Sequence, residues 1–177
     1  MNEITDLRDI SIRYFLLVLV ALPNLWIFYF IFTPLTVYPV YFVLGLFYET
    51  FLIKNVILVN GLFPIELIKA CIAGSAYYLL LILNLSTPRI NPKKRINLLV
   101  FSFVSLLAIN VIRIIILSLI FLEGLPGFIL THKILWYFMS TIFVAGIWFS
   151  GVKIFKIKEI PIYSDLKFLY KKTKSKK

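Results

Sequence analysis

Residues 1–13 are polar and of mixed charge, and from Tyr14 to Phe32 the chain turns almost wholly apolar. That run is about long enough to cross a bilayer core of roughly 30 Å. Pro23 predicts a kink within it, because a helix-interior proline removes one backbone bond, and Thr33-Pro34 predicts its end. Residues 35–53 are apolar enough to span as well. They also carry Glu49 and the aromatics Tyr38, Tyr41, Phe42, Phe47, Tyr48 and Phe51, which favour the headgroup level. A span and a helix lying in the interface both fit that pattern. β-branched residues then lead into Asn60-Gly61, whose two positive-φ positions predict a β-hairpin over 56–63. A hairpin cannot face hydrocarbon, so it must lie at the membrane surface or under protein. Apolar helices are expected from Cys71 to Leu85, over 97–122 and from about Lys133 to Val152. The connections are a basic proline-containing loop (Thr87 to Arg95) and an uncharged-to-acidic turn, Glu123-Gly124-Leu125-Pro126-Gly127.

The expected fold is an all-α polytopic membrane protein with four or five transmembrane helices and a short extracytoplasmic β-hairpin ahead of the cysteine helix. Its parts are a polar segment (1–13), a membrane-embedded domain (14–152) and a basic tail (153–177). The 61% hydrophobic content and mean hydropathy of +0.96 exclude an ordinary soluble domain, which is about half apolar. The net charge of +11 lies in one short connection and a lysine tail beside apolar segments. Clusters so placed hold a cytoplasmic face against anionic lipid and do not require nucleic acid. The positive-inside rule therefore puts the 87–96 loop and the tail in the cytoplasm. It puts the hairpin, Cys71 and the 123–131 loop outside. The first apolar run is too long for a signal-peptide core and lacks a small-residue cleavage site, so the first helix is expected to be retained.

Reactive groups are few. The chain has one cysteine and one histidine, which excludes an internal disulfide and leaves zinc short of its three or four ligands. Cys71 is expected at a helix N-terminus, where backbone N–H groups favour a thiolate; the plainer alternative is a small buried hydrophobe. Arg113 lies roughly 13 Å below the outer end of its span at 1.5 Å per residue, too deep for easy snorkelling. A guanidinium there costs at least about 2.5–3.5 kcal/mol and needs a partner or a wet cavity. Glu49, Glu66 and Glu123 are the acids available for an ion pair, and Asn110 shares the Arg113 face one turn earlier. His132 follows Thr131, a plausible N-cap, and so is expected to open the last span. A nucleophile, a base and a fixed positive donor are what acyl transfer through a thiol requires. Cys71, His132 and Arg113 supply one of each.

Ala70-Cys71-Ile72-Ala73-Gly74, then Asn110-x-x-Arg113, then His132 form an ordered set that resembles the exosortase/archaeosortase family, in particular its compact archaeal, pacearchaeosortase-like members. The resemblance covers about residues 33–152. Two positions depart from the pattern: Ile72-Ala73 stand where many relatives have serine and glycine, and some archaeal members have an arginine at the position of His132. The resemblance implies a multi-pass plasma-membrane cysteine protease–transpeptidase with its active site facing the extracytoplasmic side and with no cofactor. Cys71 would attack the C-terminal sorting signal of a secreted protein and form a thioester. Arg113 would stabilise the oxyanion, His132 would move the proton, and Asn110 would orient Arg113. Glu66, Gly74 and Ser75 would border the substrate, whose own transmembrane helix would pack on the small residues. A membrane lipid or other envelope component would accept the new C-terminus. The rival expectation is a non-enzymatic membrane subunit for transport or envelope assembly, in which Arg113 binds an anionic ligand or partner helix and Cys71 is inert.

Overall fold

In the computed structural model, which describes residues 3–22, 24–88 and 90–157, helices dominate and one small antiparallel sheet interrupts them. The first helix, α1 (Glu3–Ala21), takes in residues expected to be a solvated start. It ends at a break where Asn24 and Leu25 both adopt positive φ (49° and 58°). Pro23, the expected kink, lies outside the described residues. The next helix, α2 (Trp26–Gly45), runs through Thr33-Pro34 and contains both Pro34 and Pro39. The expected span boundaries are therefore shifted: the break falls ahead of Trp26, not at Thr33.

Residues 35–53 are neither one span nor an interfacial helix. The helical part stops at Gly45, and Thr50–Ile53 is a strand, β1. It pairs with β2 (Val56–Val59), which pairs in turn with β3 (Phe63–Glu66), giving a sheet of order β1-β2-β3. The expected hairpin is present as β2–β3. Asn60 and Gly61 take φ of 51° and 67°, and Leu62 N–H donates to Val59 O at 3.1 Å to close the turn. Lys54-Asn55 makes the second turn, with Lys54 at φ 57°. Ile57 and Val59 point into the core and fasten the sheet to the helices.

After the sheet come a single helical turn, α3 (Lys69–Ile72), and α4 (Gly74–Leu85). The long helix α5 (Pro92–Leu122) follows, with the Asn91 side chain accepting from Lys93 N–H at its start. Then α6 (Phe128–Phe138) passes through a π turn (Met139–Phe143) into α7 (Val144–Ile154). The central element is α5, which packs against α2, α4, α6 and α7. Its buried face (Leu98, Ser102, Leu106, Asn110, Arg113, Leu117) recurs at three- and four-residue spacing, the stripe one helix face requires. Around α5 an aromatic cluster forms the heart of the bundle: Phe32 stacks on Tyr77 at 3.6 Å between centroids, and Phe103 meets both edge-on.

Among the described residues two helices, α2 and α5, are long and apolar enough to cross a membrane. The remaining apolar stretches, Ile10–Ala21, Lys69–Leu85 and Thr141–Ile154, are shorter. At the end of α4 a cation clamp closes the chain on itself. Arg95 donates to Asn84 O at 2.7 Å and to Thr87 O at 2.9 Å, and Arg13 donates to Leu85 O at 2.9 Å. Cations suit these helix-terminal carbonyls, which carry the negative end of the dipole.

Candidate active site

Cys71 is the third residue of a four-residue turn, not the start of a long helix. Ala73 takes the left-handed conformation (φ 60°, ψ 38°) and divides that turn from α4. The dipole of the long helix therefore begins after the thiol, which removes the sequence-based reason for expecting a stabilised thiolate there. Gly74 explains part of the break. A Cβ on it would stand 2.8 Å from the Tyr29 ring, so a larger residue here would require that ring to shift. Lys69 Nζ lies 5.3 Å from the centroid of the same ring.

The cysteine's carbonyl is the meeting point. Asn110 Nδ2 donates to Cys71 O at 2.8 Å, and Arg113 Nη2 approaches the same oxygen at 3.4 Å. Both side chains come from adjacent turns of the buried α5 face, as their i, i+3 spacing predicts. Asn110 is fully buried and Arg113 only 8% exposed. Each keeps a buried polar atom with no partner among the described residues: Asn110 Oδ1 and Arg113 Nε. Leaving such atoms unfilled is costly, and Thr36, Tyr77, Asn84, Ser86 and Ser102 each carry another such atom among the described residues.

The ion-pair alternative for Arg113 is not what the chain adopts. Among the described residues its guanidinium meets no carboxylate. Glu123 instead accepts a 2.9 Å hydrogen bond from the Tyr48 hydroxyl. That bond and the carboxylate's charge hold the Tyr48 hydroxyl above its ordinary pKa, so it stays a donor. Glu66 ends β3 and is exposed.

His132 is not at a helix start. Its helix begins at Phe128, Thr131 N–H donates to Gly127 O within the first turn, and Thr131 caps nothing. The imidazole is exposed and stacks on Phe128, one turn earlier, at 5.8 Å between centroids. Phe128 meets Phe121, and Phe121 meets Phe63 of β3. His132 therefore sits at the sheet end of the bundle, but no hydrogen bond joins it to Cys71 among the described residues.

The other sequence-predicted residues separate. Ser75 is exposed, whereas Gly74 is buried beneath Tyr29. The small-residue face expected to receive a substrate helix is thus partly filled by the chain's own α2. Sequence reading missed Tyr29, whose ring reaches Gly74 from a distant part of the chain. It also missed the Cys71 carbonyl as the acceptor, since a backbone atom leaves no trace in residue types. Among the described residues no group of three or more His, Cys, Asp or Glu side chains is placed to hold a metal ion. Comparison with protein-family models, curated proteins and solved structures gives no match.

Proposed function

We propose that the chain is an integral membrane cysteine protease–transpeptidase of the kind its resemblance to exosortases and archaeosortases implies. The observation that carries this reading is the buried Asn110–Arg113 pair gathered on the carbonyl of the only cysteine, with Arg113 Nε unfilled. A guanidinium kept out of water without a carboxylate costs stability, and a developing oxyanion beside Cys71 would give its free donor a partner.

In this reading His132 takes the Cys71 thiol proton as the sulfur attacks the scissile carbonyl of a secreted protein's C-terminal sorting signal. Arg113 stabilises the tetrahedral oxyanion, while Asn110 fixes the peptide that carries the nucleophile. His132 delivers a proton to the departing amine and the thioester forms. A nucleophile from a lipid or other envelope acceptor, or water, then releases the new carboxyl end. His132 has to approach Cys71 when substrate is bound, which its exposed position on α6 permits.

The membrane setting draws support from α2 and α5 and from the outward faces of the bundle. Phe15, Phe30, Val104 and Phe149 are large apolar side chains that stand exposed on four different helices, as contact with lipid requires. With the shorter apolar helices packed beside them, a multi-pass arrangement of four or five crossings is proposed, with the sheet end extracytoplasmic.

One observation favours the non-enzymatic rival: among the described residues no hydrogen bond joins His132 to Cys71, as an inert thiol would allow. Replacing Cys71 separates the two. A reporter with a C-terminal transmembrane signal should be cleaved by the wild-type protein and left intact by Cys71→Ala at equal membrane abundance. The wild-type protein should form a hydroxylamine-sensitive adduct with the reporter. A reporter processed equally by both proteins contradicts the proposal.

A further inference from the structure

We infer that the free edge of β1, with the groove beside it, is a docking site for an extended polypeptide segment that carries a lysine or arginine. The alternation of the ladder determines which backbone groups are free. Asn60 N–H donates to Glu49 O at 2.7 Å, one step beyond the register Thr50↔Val59, Phe51↔Leu58, Leu52↔Ile57 and Ile53↔Val56. Hydrogen-bonded and non-bonded pairs alternate in an antiparallel ladder. Phe51 and Ile53 are therefore the residues bonded to β2, and the N–H and C=O of Thr50 and Leu52 point to the outer edge. Among the described residues those four groups have no partner. The opposite edge is poorer: Leu67 N–H donates to Asn55 O, which turns Pro64 and Glu66 outward, and proline has no N–H to offer.

A groove of about 600 Å³ runs between the start of β1 and the end of α2. Tyr41, Phe42, Tyr48 and Phe51 line it, with Glu49 among them. The Glu49 carboxylate is exposed and has no partner among the described residues. Aromatic faces around one carboxylate suit a cationic side chain, and an unpaired strand edge suits an extended backbone. Together they specify the occupant: a β-conformation peptide whose amides bond Thr50 and Leu52 while a basic side chain enters the groove. A small cation alone would leave the strand edge unused, and a helix would not match it.

The inference rests on the proposed polypeptide substrate but not on any chemistry at Cys71. It is tested with purified full-length Cys71→Ala protein panned against a randomised octapeptide display library. Enriched peptides should carry one lysine or arginine flanked by β-branched or aromatic residues. Glu49→Gln, at an exposed position that need not disturb folding, should lower their affinity about tenfold or more. N-methylation of the peptide amides facing β1 should do the same with the protein unaltered. No enrichment, no basic preference, or affinity indifferent to both changes overturns the inference. So does a β1–β1 cross-linked dimer that excludes the peptides. Peptides that bind as expected to a protein that never cleaves a reporter contradict the transpeptidase reading alone. Normal cleavage with unchanged KM in Glu49→Gln contradicts the docking site alone.

Discussion

The Asn110 side-chain amide donates to the Cys71 carbonyl oxygen at 2.8 Å, a contact between residues 39 positions apart. It fixes the peptide unit that carries the thiol to the most buried face of α5, and it does so without a charge. The same asparagine keeps its Oδ1 buried and without a partner among the described residues.

Removing that donor should be costly. Asn110→Ala leaves the part-buried Cys71 carbonyl with only the long Arg113 contact, and should lose about 1–3 kcal/mol of stability. Unfolding of the purified protein in detergent measures it. A variant as stable as the wild type contradicts the role of this bond.

Gly74→Ala probes the contact that positions Cys71 from the other side. The added Cβ would meet the Tyr29 ring at 2.8 Å, so the ring must swing off its place near Lys69. The cost should be about 1–3 kcal/mol, the range for overpacking. Tyr29→Ala should return part of it in the double variant. Additive losses contradict the steric account.

How far the sequence disclosed this arrangement depends on the kind of signal. Asn60-Gly61 carries its conformation in its residue types and gave the hairpin directly. Asn110 and Arg113 share a face by helical arithmetic, so their convergence was legible. Their acceptor, a backbone carbonyl, was not. The continuation of α2 through Pro34 was hidden because local rules read that proline as a stop, while packing against α4 and α5 holds the helix together. β1 was hidden for a different reason: Thr50-Phe51-Leu52-Ile53 is apolar without alternation, and only its partner β2 makes it a strand. Ala73 in the left-handed region has no sequence signature at all, since alanine is the best helix former.

Membrane sidedness gives an independent test. In a Cys71→Ser background, single cysteines at Asn91 and Gly127, at opposite ends of α5, should label with an impermeant maleimide from opposite faces. Gly127 should react from outside. Labelling from one face contradicts a crossing by α5.

His132 separates turnover from folding. Its ring is exposed and stacks on Phe128, so His132→Gln should leave folded abundance unchanged. Reporter cleavage should fall about 10²–10⁴-fold, the usual contribution of a general acid–base group. Wild-type cleavage by this variant contradicts a proton-transfer role.

In the proposed mechanism Arg113 is held buried for an oxyanion and not for structure. Lysine keeps the charge but loses the planar fork. The direct measurement is reporter cleavage by Arg113→Lys, normalised to folded protein in the membrane. Normal abundance with a loss of about 10²–10³-fold, the cost of removing an oxyanion donor, is the result expected. Cleavage at the wild-type rate by an equally abundant Arg113→Lys protein would contradict it.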